Sequence, residues 1–198
     1  MNTVDIHKAF KIIVYSLVVG LLLISCVANF ESNSSDIKNQ QIENHIIDWE
    51  RSKSHVLAIL DVIPEDKLDF KSNEEVRSFS EEFKHIISSV NGMTANALDI
   101  NPQDLDIESL KTKSDIADAV TTTYNWVTSN LSEFDTSRND EVIEYFGMFR
   151  VTRSRAISKI YEHQAHHKSK VIGNQRLAGI APPAYGMYLF DELIEDQD

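Results

Sequence analysis

Glycine and proline are scarce in this chain, and that scarcity limits what it can fold into. There are six glycines and four prolines in 198 residues. The prolines and Gly179 fall at punctuation points, and between them apolar residues recur at helical spacing. Ile42, Ile46, Trp49, Val56, Ile59, Leu60 and Ile63 line one stripe, predicting a first helix from Ile42 to Ile63 that ends at Pro64. Phe79, Phe83, Ile86, Ile87, Val90 and Met93 predict a second, running to about Leu98. Ser78, with Glu81 three residues later, has the pattern of a capping box at its start. Ser114 is the expected cap of a third helix, through Ile116, Ala119, Val120, Tyr124 and Val127 to Leu131. Residues 132–139 read as a loop and 140–148 as a short amphipathic segment. A fourth helix is expected from Arg150 to Leu177, closed by Gly179 and kept closed by Pro182 and Pro183. Strand-like alternation is too weak to build a sheet. The expectation is an all-α, antiparallel four-helix bundle.

The first residues read differently. Lys8 and Lys11 precede an uncharged apolar run from Ile12 to Ile24. Thirteen helical residues reach about 20 Å, short of the ~30 Å hydrocarbon core, so residues 1–25 fit a signal peptide better than a spanning helix. The run ends in Leu23-Ile24-Ser25-Cys26, and Cys26 is the only cysteine. That tetrapeptide resembles the lipobox of bacterial lipoproteins. The resemblance implies lipidation of Cys26, no thiol left for disulfides or catalysis, and a membrane-anchored extracytoplasmic location, at the periplasmic face or outer membrane. Residues 26–41 are polar and read as the lipidated cysteine and a flexible tether. Residues 42–198 then form one domain with enough chain for a sizeable core. The formal net charge of −12 argues against nucleic acid as a partner.

Three histidines suggest chemistry. His163 and His167 lie four apart in the expected fourth helix, about 40° apart around its axis, so both project from one face. His85 sits in the middle of the second helix. Three imidazoles from facing helices would hold one divalent cation and leave positions open for water or substrate. Spacing alone leaves a second reading open, in which the pair is an accident of a surface helix. Glu81, Glu82 and Glu162 are the nearby carboxylates able to orient a ring or act as a base, and the sequence does not choose among them. His166 is expected on the flank. His45 and His55 read as surface or hydrogen-bonded core residues.

Several segments together resemble the DinB/YfiT-like superfamily. They are Ile63-Pro64-Glu65-Asp66-Lys67-Leu68, then Arg77-Ser78-Phe79 through His85-Ile86, then Glu162-His163-Gln164-Ala165-His166-His167-Lys168, and finally Gly179-Ile180-Ala181-Pro182-Pro183-Ala184-Tyr185. The resemblance spans Ile42 to Tyr185. It implies a four-helix bundle and a divalent metal on His85, His163 and His167, with His166 not a ligand. Lys170 stands where the family often has glutamine. Imidazole suits several ions, so zinc, nickel, iron and manganese all remain candidates. The expected activity is a metal-dependent hydrolase or thiol transferase acting on a small molecule, with its catalytic residues unknown. Two alternatives are a non-catalytic metal- or ligand-binding module and a metal-free bundle that docks a partner. The oligomeric state is open, with a homodimer among the options.

Overall fold

The computed structural model describes residues 36–188; the leader and Cys26 lie outside the described residues. The described residues from Ile42 onward form one compact unit. Its frame is four helices: α1 (residues 36–61), α2 (Phe79–Leu98), α3 (Lys113–Ser132) and α4 (Arg153–Leu177). The protein is an all-α bundle, as its periodicity predicts. Among the described residues no helix is long and apolar enough to cross a membrane.

Cross-helix contacts fix the directions. Trp49 meets Tyr161 edge-on, Ser52 Oγ donates to Gln164 Oε1 (3.0 Å), and Gln175 Nε2 donates to the Ile59 carbonyl (2.8 Å). Partner numbers rise together, so α1 and α4 run parallel. Against α4, α2 is antiparallel: Glu82 meets His167, and Arg153 Nη1 donates to the Ala97 carbonyl (2.6 Å). Lys53 on Asn125 (2.7 Å) and Lys113 on the Asp61 carbonyl (2.7 Å) make α3 antiparallel to α1. Hence α2 and α3 point the same way, and the link between them must travel the length of the bundle. Asn91 pins that link, its amide giving one hydrogen bond to Gln103 O (2.9 Å) and taking one from Gln103 N (2.8 Å).

Local signals set the helix ends. Ser78 and Glu81 form the expected capping box. The cap of α3 is Thr112 rather than Ser114. Thr112 is extended (φ −109°, ψ 164°) and pairs reciprocally with Asp115, which leaves Ser114 inside the first turn. Asp99 (φ 61°) and Gly179 (φ 74°) turn the chain left-handed after α2 and α4. Residues 36–41, read as tether, are helical. Lys38, Gln40 and Gln41 are good helix formers, and elongating an existing helix costs little.

The segment 140–152 also departs from its sequence reading. It forms a hairpin, β1 (Val142–Tyr145) with β2 (Phe149–Thr152), in register from Tyr145 opposite Phe149 to Val142 opposite Thr152. Four-residue strands are too short for their alternation to stand out. Their stabilisation comes from pairing, and from packing of Tyr145 under the bundle. The fourth helix therefore starts at Arg153, not Arg150.

Trp49, Tyr124, Phe79, Phe83, Ile59, Ile86 and Ile157 are among the fully buried side chains. Each contributes about 1.5–3 kcal/mol by leaving water. Trp49 sits edge-on to both Tyr124 (5.0 Å) and Tyr161 (5.6 Å). Beside this apolar core runs a buried polar chain. Lys168 Nζ donates to Ser52 Oγ (3.0 Å), Ser52 Oγ to Gln164 Oε1, and Tyr124 Oη to the same Gln164 oxygen (3.3 Å). His55 is likewise buried. Its ring stacks on Tyr188 (4.6 Å, 14°), and neither ring nitrogen has a hydrogen-bond partner among the described residues. It thus fits neither of the two positions expected from sequence, the surface or a hydrogen-bonded place in the core. Burial pushes its pKa down to about 4, so the ring is neutral at pH 7.

Two stability predictions follow from these contacts. Arg153 is buried, with Nη1 on Ala97 O and with Nε (3.1 Å) and Nη2 (2.8 Å) both on Glu141 Oε2. Arg153→Met leaves the buried carbonyl unpaired and should cost about 2 kcal/mol in urea unfolding. Lys168 behaves oppositely. Burial lowers its pKa from 10.5 to about 8, so between those values the unfolded chain binds more protons and stability rises with pH. The charged form costs about 3 kcal/mol at pH 7, offset by about 1 for the Ser52 bond. Lys168→Met should therefore be about 2 kcal/mol more stable than wild type at pH 7, with the gap closing as pH rises from 8 to 10.

Candidate metal centre

The antiparallel packing of α2 on α4 brings three imidazoles together. His163 and His167 share the face of α4 turned to α2, with ring centroids 4.5 Å apart. His85 reaches in from α2, its ring 4.2 Å from His167 and 5.5 Å from His163. One candidate ligand atom from each ring lies within 4.8 Å of the other two. His85 Nε2 and His167 Nε2 are 3.1 Å apart. Two nitrogens bound to one cation at ~2.0–2.1 Å lie about 2.9 Å apart in octahedral and about 3.3 Å in tetrahedral geometry. The observed spacing falls between these values. His163 Nε2 is buried and has no hydrogen-bond partner among the described residues, which leaves its lone pair or proton uncompensated within the cluster. The donor set fits a divalent ion that accepts imidazole.

Glu82, one turn before His85, sets the orientation. It is buried, and its Oε1 accepts from His167 Nδ1 at 2.5 Å. A proton held on Nδ1 leaves Nε2 of His167 with its lone pair directed at His85. The other Glu82 oxygen faces Arg77 Nη1 at 3.4 Å. The remaining carboxylates go elsewhere. Glu81 closes the cap of α2 and binds Lys71 (2.8 Å). Glu162 is exposed and paired with Lys159. His166 is exposed on the flank, edge-on to His167 at 5.0 Å.

The electrostatics favour neutral rings. Burial is the largest cause lowering the pKa of all three histidines. It carries His85 down to about 4, with positive charge on His167 and Arg77 adding to the effect. Lys170 contributes at His163 and His167, while Glu82 pulls His167 back up. Uncharged imidazole is the form that ligates. Arg77 and Lys170 thus act on the cluster although no ligand motif names them. Their signal in the sequence was faint: Arg77 sits just before a helix cap, and Lys170 lies one turn beyond His166 and His167.

A cleft of about 910 Å³ opens beside Glu82, lined among others by Lys71, Asn73, Arg77, Lys170 and Asn174. A second, of about 570 Å³, reaches His85 past Ser80, Lys84 and Glu108. Both are of small-molecule size.

Comparison with known proteins places this arrangement. No curated protein sequence matches the chain. Solved structures that share its fold include two DinB-like proteins. A DinB-like protein from Bacillus cereus superposes with a TM-score of 0.60 at 19% identity, covering 69% of this chain and 91% of its own. A DinB-like protein from Bacillus subtilis, YjoA, superposes with a TM-score of 0.57 at 21% identity, covering 73% and 96%. The family model of the DinB superfamily matches residues 48–170, a span that contains His85, His163 and His167. The chain belongs to the DinB superfamily.

Proposed function

We propose that this domain binds a divalent metal through His85, His163 and His167 and acts as a metal-dependent hydrolase or transferase on a small molecule. The observation that carries the reading is the convergence of three neutral imidazoles around one point, with Glu82 fixing the tautomer of His167. A divalent ion held by neutral ligands keeps its full charge and supplies Lewis-acid stabilisation to an oxygen or thiolate. The chain's own residues do the rest. The three rings supply a cradle that costs no charge neutralisation. Glu82 orients one ring and is not free as a general base, and Glu162 faces solvent. Neither carboxylate is placed as a base, so activation of a nucleophile would fall to a divalent ion if one were held by His85, His163 and His167. Arg77 and Lys170 add positive charge at the rim, which favours an anionic substrate in the adjoining cleft. The lipobox-like Leu23-Ile24-Ser25-Cys26 supports the companion proposal that the domain works outside the cytoplasm, anchored through Cys26.

Elemental analysis of tag-free protein should find stoichiometric divalent metal, and His163→Ala should reduce it to background. Turnover across a panel of small esters, amides and thiol acceptors with added Zn²⁺, Ni²⁺, Mn²⁺ or Fe²⁺ should vanish in the same variant. Activity that survives His163→Ala overturns the site. Glu82→Gln should weaken metal affinity about 10- to 100-fold while leaving helix content unchanged. Equal affinity in a competition titration would remove Glu82 from its orienting role.

A further inference from the structure

The cleft beside Glu82 holds positive charge that the three rings leave unused. Lys71, Arg77 and Lys170 line it, together with Glu75, Glu81 and Glu82. By residue type these charges cancel, but most of the carboxylates already have partners. Glu81 closes the cap of α2 and binds Lys71 at 2.8 Å, so that pair is neutral. Glu82 gives Oε1 to His167 Nδ1. Its other oxygen is 3.4 Å from Arg77 Nη1, near the outer limit of a hydrogen bond, and the rest of the arginine fork stays open. Lys170 is exposed, and no carboxylate pairs with its ammonium among the described residues. Glu75 also lines the cleft, but it is not among the chief charges acting on the rings.

The two free cations stand together at the edge of the cluster. Lys170 follows His163 and His167 along nearly the same face of α4. Arg77 comes from the loop before α2, and the fields of both cations reach His163. The main chain of Arg77 is fixed on either side. Asn174 Nδ2 donates to its carbonyl (3.4 Å), and Ser72 Oγ donates to Asn174 Oδ1 (2.8 Å). The next residue, Ser78, is locked in the capping box. The Arg77 side chain is still 44% exposed. A cation on a fixed backbone loses less freedom when a ligand arrives than one on a loose loop. The chain as a whole, at a formal −12, repels anions, so these two side chains form a local exception.

We infer that Arg77 and Lys170 clamp an oxyanion, a carboxylate or a phosphate, at one end of the small molecule whose reacting atom meets the three histidines. This rests on reading His85, His163 and His167 as a metal centre, and it narrows the substrate of that centre to molecules carrying such a group. The guanidinium fork takes two oxygens of an oxyanion in one plane, and the ammonium adds a point charge. A neutral ester or amide offers neither cation a partner. The cleft, at about 910 Å³, has room for the body of a small molecule beyond its anionic end.

The test uses the tag-free full chain, stripped of metal and dialysed free of chelator. Its thermal unfolding is followed while inorganic phosphate or acetate is titrated in at constant ionic strength. At least one of the two should raise the midpoint in a saturable way. A response to phosphate alone assigns a phosphate group to the substrate, and a response to acetate alone assigns a carboxylate. Arg77→Gln and Lys170→Gln should each raise the concentration needed about tenfold. Lys84→Gln removes an equal charge from the other cleft and should leave it unchanged. None of the three residues is buried, and circular dichroism checks that each variant folds. No response to either anion, or the same response in all three variants, overturns the inference. Elemental analysis of the untreated chain reports the metal separately. A chain that binds the anion through Arg77 and Lys170 but holds no metal loses the metal reading alone. A chain that holds metal on its histidines, with an anion response indifferent to both substitutions, loses this inference alone.

Discussion

The axial register of α4 against α2 is the constraint on which the rest depends. It is fixed at both ends. At one, Arg153 reaches the Ala97 carbonyl and Glu141; at the other, Asn174 accepts from Ser72 Oγ (2.8 Å) and donates to the Arg77 carbonyl (3.4 Å). About 31 Å of helix lies between these two ties. A slide of one turn, about 5.4 Å, would break both and carry His163 and His167 past His85. The centre is thus built by helix packing rather than by a loop, on elements whose side chains are held by the core.

The buried face of α4 is more polar than a structural helix needs. Six of its ten buried residues are polar or charged: Arg153, Gln164, His167, Lys168, Asn174 and Gln175. Burying such groups costs free energy unless each is paired. Arg153 and His167 are paired with carboxylates, and Gln175 with a backbone carbonyl. Lys168 has a hydroxyl partner and a depressed pKa, and Gln164 keeps an unpaired amide nitrogen. Natural chains carry such local conflict where function requires it. Among the described residues, the unpaired buried atoms of α4 are His163 Nε2 and Gln164 Nε2 at the histidine turns and Gln175 Oε1 about two turns beyond His167.

Much of this was legible beforehand because its causes are local. The capping box at Ser78 and the break at Pro64 are set by side chains within a turn of the backbone they satisfy. The pairing of His163 with His167 on one face follows from helical pitch alone. The hairpin was not legible, since its stability lies in contacts between strands and with α2. Nor was the choice of Glu82 over Glu81 and Glu162. All three lie near a histidine in sequence, and only burial against α4 distinguishes the one that points inward. The interior position of Lys168 was hidden for the same reason, as lysine is ordinarily a surface residue.

What the sequence determined alone is what depends on spacing along the chain: four helices, their approximate ends, one helix with two histidines on a single face, and the motif order shared with a family. What only the tertiary structure decided is what depends on distance across it. The parallel course of α1 and α4 puts Ile42 and the hairpin at the same end of the bundle. The antiparallel course of α2 and α4 brings residue 85 to residues 163 and 167. Helical periodicity specifies which face a side chain occupies, but it carries no information about which other face it meets. That is settled by packing, where burial of the whole apolar surface selects one arrangement from the several that each helix alone would permit.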